Sequence, residues 1–317
     1  MQRQVCADTE NAMGISYQRH TSALSLIISS TVLLTGCGGL SLTLSRYPTH
    51  PQAEAAVERL VGSDPTLVHE ASTEIGILGE SAMPVLFRSL DSATEPGQLR
   101  ILNSATSIGS PQELLVGILE KAARDEATNV RRSAAFHAGQ FPQLSAELGP
   151  LLISLTEDPD PSVRAAALSS LGGYPSSTQL PEEILVSLVR DPNILVAASA
   201  ASLAIRRSEP EVQLAAREAL PNLASKIQDP IPAHRAAILF AIGHYGTLAK
   251  PSIPTLKLVL EKDKVPEVRL QAAIALLRIN TPASRKLAVP ALRSFAKSKD
   301  ERLKVAAQSA LSLLAAR

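Results

Sequence analysis

The chain has no tryptophan, and aromatic residues make up only 3% of its 317 residues. Clamping a planar cofactor or an extruded base calls for aromatic faces, so both classes start without their usual side chains. Cysteine is almost missing too. Cys6 and Cys37 are the two, too few for a disulfide framework, so stability has to come from packing. Neither sign of charge dominates: 31 basic residues meet 30 acidic ones, a net charge of +1, which gives no overall attraction to nucleic acid or membrane. What is plentiful is small aliphatic side chain. Apolar residues reach 45% and are mainly Ala, Leu, Ile and Val, a set suited to closely packed helices. A chain of this length outgrows one ordinary core and implies two domains or an elongated array.

The first fifty residues read as a targeting segment. Arg19 and His20 precede an apolar run from Ala23 to Leu34, shorter than the roughly 20 residues that span a bilayer. The run ends in Leu34-Thr35-Gly36-Cys37, which resembles a bacterial lipobox, where the peptide is cut before the Cys and the thiol takes a lipid. That resemblance implies a signal peptide over 1–36, a lipidated tether over 37–50 and, with Gly38 after the Cys, an outer-membrane anchor facing the periplasm. A start at Met13 would leave a 24-residue leader and drop Cys6. The alternative is an uncleaved N-terminal helix carrying a chance Cys, which returns the chain to the cytoplasm.

Beyond residue 50 one phrase recurs: an Asp, four residues, an apolar residue, an Arg, then an Ala-rich stretch. Four copies keep it: Asp125 with Val130-Arg131, Asp158 with Val163-Arg164, Asp229 with His234-Arg235, and Asp263 with Val268-Arg269. A fifth, Asp191 with Val196, has Ala197 in place of the Arg, and weaker copies fit around Leu67, Leu99 and Leu303-Lys304. The eight apolar markers are spaced by 32, 31, 33, 33, 38, 34 and 35 residues. Each unit carries an upstream helix marked by Pro, at Pro84, Pro111, Pro150, Pro181, Pro254 and Pro290, because Pro near a first turn forfeits only an N–H that has no partner there. Asp158-Pro159, Asp191-Pro192 and Asp229-Pro230 turn the chain between the two helices of a pair.

The motif Asp-x-x-x-x-Val-Arg-x-x-Ala-Ala-x-x-Leu after a Pro-x-Leu helix resembles HEAT repeats, in particular the shorter HEAT-like class of the bilin lyases. The resemblance covers residues 51–317 and implies an all-α, right-handed solenoid of about eight helical hairpins. It also implies a structural ladder of Asp125, Arg131, Asp158, Arg164, Asp229, Arg235, Asp263 and Arg269 between neighbouring units, broken at Ala197. There the lengthened segment Pro210–Pro221 predicts a bend or a looser join.

A stack of this kind presents a binding surface, and the family resemblance places it on the ridge of second helices, with Arg206, Arg207 and Arg278 as candidate partner contacts. The partner class expected is protein, with the membrane met through the lipid and no nucleic acid. Charge is uneven along the array: residues 37–160 hold 8 basic and 16 acidic residues, residues 161–317 hold 21 and 12. On the last helix, Leu303, Ala307, Ala310, Leu311 and Leu314 form one apolar face while Val305 and Leu313 lie on another, which predicts contact with a partner or end-to-end self-association with a second copy. No catalytic residue, metal ligand or cofactor is assigned. His69-Glu70 is one His-Glu step, where the deoxyhypusine hydroxylases, a HEAT-like family, use paired steps to hold two irons. No Gly-x-Ser-x-Gly or phosphate loop is present. The competing class is a HEAT-like lyase or hydroxylase.

Overall fold

The computed structural model describes residues 44–175 and 178–315. The leader, Cys37 and residues 38–43 lie outside the described residues, as do the side chains of Leu313 and Leu314. The described residues fold as an all-α solenoid of eight helical hairpins. In chain order the pairs are α1 (Ala53–Val61) with α2 (Pro65–Leu78), α3 (Met83–Ser89) with α4 (Glu95–Ile108), and α5 (Gln112–Ala122) with α6 (Thr128–Ala138). Next come α7 (Ser145–Leu155) with α8 (Pro161–Leu171) and α9 (Glu182–Val189) with α10 (Ile194–Ala204). The last three are α11 (Pro210–Ser225) with α12 (Pro232–His244), α13 (Ile253–Lys262) with α14 (Pro266–Ile279), and α15 (Pro282–Phe295) with α16 (Glu301–Ala315). Every marker residue of the repeat falls on the second helix of its pair.

Start signals are local. Asp64 and Asp160 cap α2 and α8 by accepting backbone N–H groups, and Pro follows each cap, which ties up donors that a helix start leaves unpaired. Thr281 and Ser284 form a reciprocal capping box on α15. Two prolines depart from the expected placement. Pro150 and Pro290 sit inside α7 and α15, because those helices begin at Ser145 and Pro282, more than a turn earlier. The stretch expected as a free tether up to residue 50 is docked from Leu44 onward: Leu44 is buried, Tyr47 packs on the first units, and its hydroxyl donates to Glu113 of α5 at 2.5 Å. An apolar and an aromatic side chain in that stretch supply surface to bury.

Packing between second helices is close. A Cβ added to Gly139 would stand 2.7 Å from Ser170 Cβ and 3.1 Å from its Cα, and one added to Gly243 would stand 3.1 Å from Ala275 Cα. Tyr174 and Tyr245 fasten neighbouring units in a second way. Their hydroxyls donate to the carbonyls of Ala138 at 2.9 Å and Ala216 at 2.6 Å, and burial pushes Tyr174 up to about 12.

The buried apolar residues form two clusters that meet at α10. Val196, Ala200 and Ala204 belong to the cluster running back to Leu44, whereas Ile194, Ala198 and Ala201 belong to the one running on to Ala310. The two faces of one helix thus serve two cores.

Candidate functional site

Two constellations repeat along the array, and one of them holds it together. In unit after unit an Asp carboxylate opens the second helix by accepting the N–H two residues on: Asp125 from Ala127, Asp158 from Asp160, Asp191 from Asn193, Asp229 from Ile231 and Asp263 from Val265, at 2.8–2.9 Å. Six residues after that Asp, an Arg turns one guanidinium nitrogen back onto the turn. Arg131 donates to the carbonyls of Asp125 and Glu126, Arg164 to those of Asp158 and Pro159, and Arg235 to those of Asp229 and Pro230.

The other side of the fork reaches the next unit. Arg131 grips both Asp158 oxygens at 2.7 and 3.1 Å, Arg235 grips both Asp263 oxygens at 2.7 and 2.9 Å, and Arg164 places two nitrogens on Asp191 Oδ2. Planar forks on carboxylates make strong charge-assisted bonds. The hydrogen bond to Asp158 raises Arg131 above its usual value. Burial alone would raise the Asp263 carboxyl, but hydrogen bonds from Arg235 and the Val265 N–H outweigh it and hold the group low.

The ends and the gap of this ladder differ from the sequence reading. The second unit is framed on Gly97-Gln98, not Leu99-Arg100: Gln98 Nε2 donates to Asp125 at 2.6 Å, while Arg100 caps the carbonyls of Leu60 and Gly62. Arg269 donates to the Asp263 carbonyl at 2.8 Å but has no next carboxylate, since Ser298 occupies that place and accepts the Asp300 N–H at 3.1 Å. At Ala197 no rung reaches Asp229. Instead His234 Nδ1 lies 3.1 Å from Asp229 Oδ1, in poor hydrogen-bond alignment. His234 stands at the apolar marker's place in sequence but is only part-buried, beside this carboxylate.

The second constellation lies on the ridge of second helices. Counting ten residues on from each marker gives Gly173, Arg206, His244 and Arg278 just past or at the ends of α8, α10, α12 and α14. Six residues on lie Ser169, Ser202 and Phe240. All of these but Arg278 wall a groove of about 570 Å³, floored by Ser199, Leu203, Ala236 and Ala237. Phe240 is 43% exposed although it is apolar.

Arg278 lies over the Phe240 ring at 4.9 Å and its Nη1 is 3.4 Å from both His244 ring nitrogens, while Phe240 and His244 stack at 4.5 Å. Burial lowers Arg278, and burial together with the neighbouring charges of Arg278 and Arg206 lowers His244. Of the three arginines singled out in the sequence, Arg206 therefore lines this groove, and Arg278 stands against its wall, packed on Phe240 and His244. Arg207 does not: it is tied to Glu209 at 3.0 and 3.1 Å and to the Leu180 carbonyl. One residue further along the chain, the side chain turns away from the ridge and holds the start of α11.

A second cleft, of about 610 Å³, lies between α2 and α4 and is lined by Ser72, Asn103, Ser104 and Ser107 with Arg100 and Glu80. Among the described residues no three His, Cys, Asp or Glu are grouped to share a metal ion, and no helix is long and apolar enough to cross a membrane. His69 and Glu70 are both exposed on α2.

The family profile of HEAT repeats matches residues 115–206 and 181–277, together just over half of the chain. Among curated proteins no sequence matches. Three solved structures are similar in arrangement. Human deoxyhypusine hydroxylase in complex with glycerol is 17% identical with a TM-score of 0.35, over 84% of this chain and 96% of that one. YibA of Escherichia coli is 16% identical with a TM-score of 0.47, over 82% and 94%. The complex of CpcE and CpcF of phycocyanin lyase from a Nostoc species is 18% identical with a TM-score of 0.47, over 77% and 93%.

Proposed function

Because the chain belongs to the HEAT-repeat family, we propose that it is a protein-binding scaffold without catalysis of its own, hung by a lipid on Cys37 in the bacterial envelope. The observation that carries the binding part is the groove along α8, α10, α12 and α14, where small side chains form the floor, an aromatic ring stands exposed, Arg206 lines one side and Arg278 packs on the ring. Aromatic and Arg anchors are the side chains that most often carry the binding energy of an interface.

The tether follows from the lipobox and the docking of Leu44. Six residues lie between Cys37 and Leu44, and seven chain steps of at most about 3.6 Å each hold Leu44 within about 25 Å of the bilayer. The acidic units then lie nearest the membrane and the basic units farthest from it. End-to-end association through α16 belongs to the same reading; Val305 on that helix is half exposed.

A photo-crosslinking side chain placed at Ser169, on the groove, should capture a protein in the native host, and one at Leu258, exposed on the first helix α13, should not. Equal capture at both positions, or none at Ser169, defeats the scaffold reading. For the tether, detergent partitioning and intact mass of the full chain should show a lipid-bearing form that Cys37→Ser lacks. An unprocessed, water-soluble chain in both cases returns the protein to the cytoplasm.

A further inference from the structure

Arg206 and Arg278 lack the carboxylate partner that three of the ladder arginines hold. Arg131, Arg164 and Arg235 each spend their fork on a carboxylate. Arg278 is half-buried, yet its neighbours are an aromatic ring and an imidazole, and Arg206 makes only a 3.5 Å contact to the Gly172 carbonyl. No Asp or Glu lines the groove. A desolvated guanidinium facing another basic side chain is costly unless a counter-charge arrives. The missing counter-charge is therefore a property of the groove, and it sits where the repeat aligns Arg206, His244 and Arg278 in one column.

We infer that this column is the docking site for an acidic segment of a protein partner, its carboxylates taken by Arg206 and Arg278 and an apolar side chain between them seated on Phe240. This rests on the reading of the second-helix ridge as the partner face. Three observations select that occupant. Planar guanidinium forks match carboxylates in two-point geometry. The floor of Leu203, Ala236 and Ala237 beside Phe240 suits apolar side chains rather than a chain of phosphates or sugars. Small residues at Ser169, Gly172, Gly173 and Ser199 let an extended backbone lie close, whereas a flat bilayer cannot enter a recess between helices. Neighbouring helices stand about 8–10 Å apart and an extended chain covers about 3.3 Å per residue. Arg206 and Arg278 are two second helices apart, and Arg278 leans back over α12, so the two carboxylates of the segment lie roughly three to six residues apart.

The test uses the full chain and a labelled peptide bearing two Glu–Leu–Glu clusters, with twins in which every Glu is Gln or Lys, read by fluorescence anisotropy. The Glu peptide should bind, weaken with added salt, and exceed the Gln twin by about tenfold or more. Arg206→Gln with Arg278→Gln should erase that preference. Arg206→Glu with Arg278→Glu should reverse it in favour of the Lys twin, an outcome that mere damage to the fold cannot produce. Equal binding of the Glu and Gln peptides, no binding of the Glu peptide at about 1 mM, or a preference that the arginine variants leave untouched overturns the inference. So does binding of phosphatidylglycerol vesicles through the two arginines in place of the peptide. Capture of a protein at Ser169 that is indifferent to the arginine variants sinks this inference and leaves the scaffold standing; no capture at Ser169 removes the scaffold itself.

Discussion

Two stretches of the ladder are built from the same residues and join their neighbours differently. From α4 to α10 the rungs follow one another, Gln98 to Asp125, Arg131 to Asp158 and Arg164 to Asp191, and the apolar residues beneath them form one cluster. Between α10 and α12 the rung is missing, because Ala197 has nothing to extend toward Asp229, and there the apolar core divides. Beyond it a single rung, Arg235 to Asp263, resumes over a second cluster. The missing rung and the divided core coincide at the join of α10 and α12, although the second cluster runs on to Ala310 across the join at Ser298 that also lacks a rung. The break also lies beside the groove, whose walls come from α8 and α10 on one side and α12 and α14 on the other. The proposed partner face straddles this join.

The sharpest way to break the comparison is to remove a rung from the continuous stretch. Arg131→Ala leaves Asp158, 5% exposed, as an unpaired carboxylate and frees two turn carbonyls, so urea unfolding should show a loss of about 3–5 kcal/mol. Arg269→Ala, which strips only the contact to the Asp263 carbonyl, should cost about 1 kcal/mol. Equal losses would mean that the inter-unit half of the fork contributes nothing. Next in size is Gly139→Ala, which pushes a methyl against Ser170 of α8 and should lower stability by about 1–3 kcal/mol, read as a fall in thermal midpoint.

The comparison can also be sharpened by adding a rung. Ser298→Asp would keep the bond to the Asp300 N–H and offer Arg269 the carboxylate that other units supply, with an expected gain of about 1 kcal/mol. That gain should vanish in the background of Arg269→Ala. The smallest expected effect is a pH slope. Burial lowers His137, which contacts Thr106 and Gln140 at 3.2 Å. With a folded value below the ordinary 6.5 or so, the unfolded chain takes up the proton first. Stability is then complete above that value and declines as pH falls through it. His137→Gln should flatten the urea midpoint between about pH 7 and pH 5, and an unchanged slope would assign the loss to other groups such as His244.

The hairpin array was legible because its markers carry both an apolar residue and an Asp six residues before an Arg, a pattern that only a repeating turn explains. It blurred where a different residue does the same job. Gln98 replaces the Arg of the second unit and Gly97 its apolar marker, so the frame seemed to fall on Leu99. Ser298 replaces an Asp, and nothing in its neighbours marks it. Within the groove, Arg206 and Arg207 are adjacent and alike in sequence. What separates them is a rotation of one residue around the helix end, which gives the first to the ridge and the second to Glu209. The column that joins Arg206, His244 and Arg278 could have been found by carrying the register ten residues past each marker. The exposure of Phe240 could not, since an apolar residue in an Ala-rich helix reads as core.

The rungs of the first stretch all span the same length of chain, and that has a consequence for how such a molecule can change length. Arg131 and Arg164 both meet their Asp 27 residues further on. Excising residues 132–164 would set Arg131 beside Ala165 and leave Asp191 at that same distance from it. A whole hairpin would be gone with its rung handed on to the next, so in-frame loss or duplication of units between α5 and α10 can proceed in steps that each leave a closed ladder.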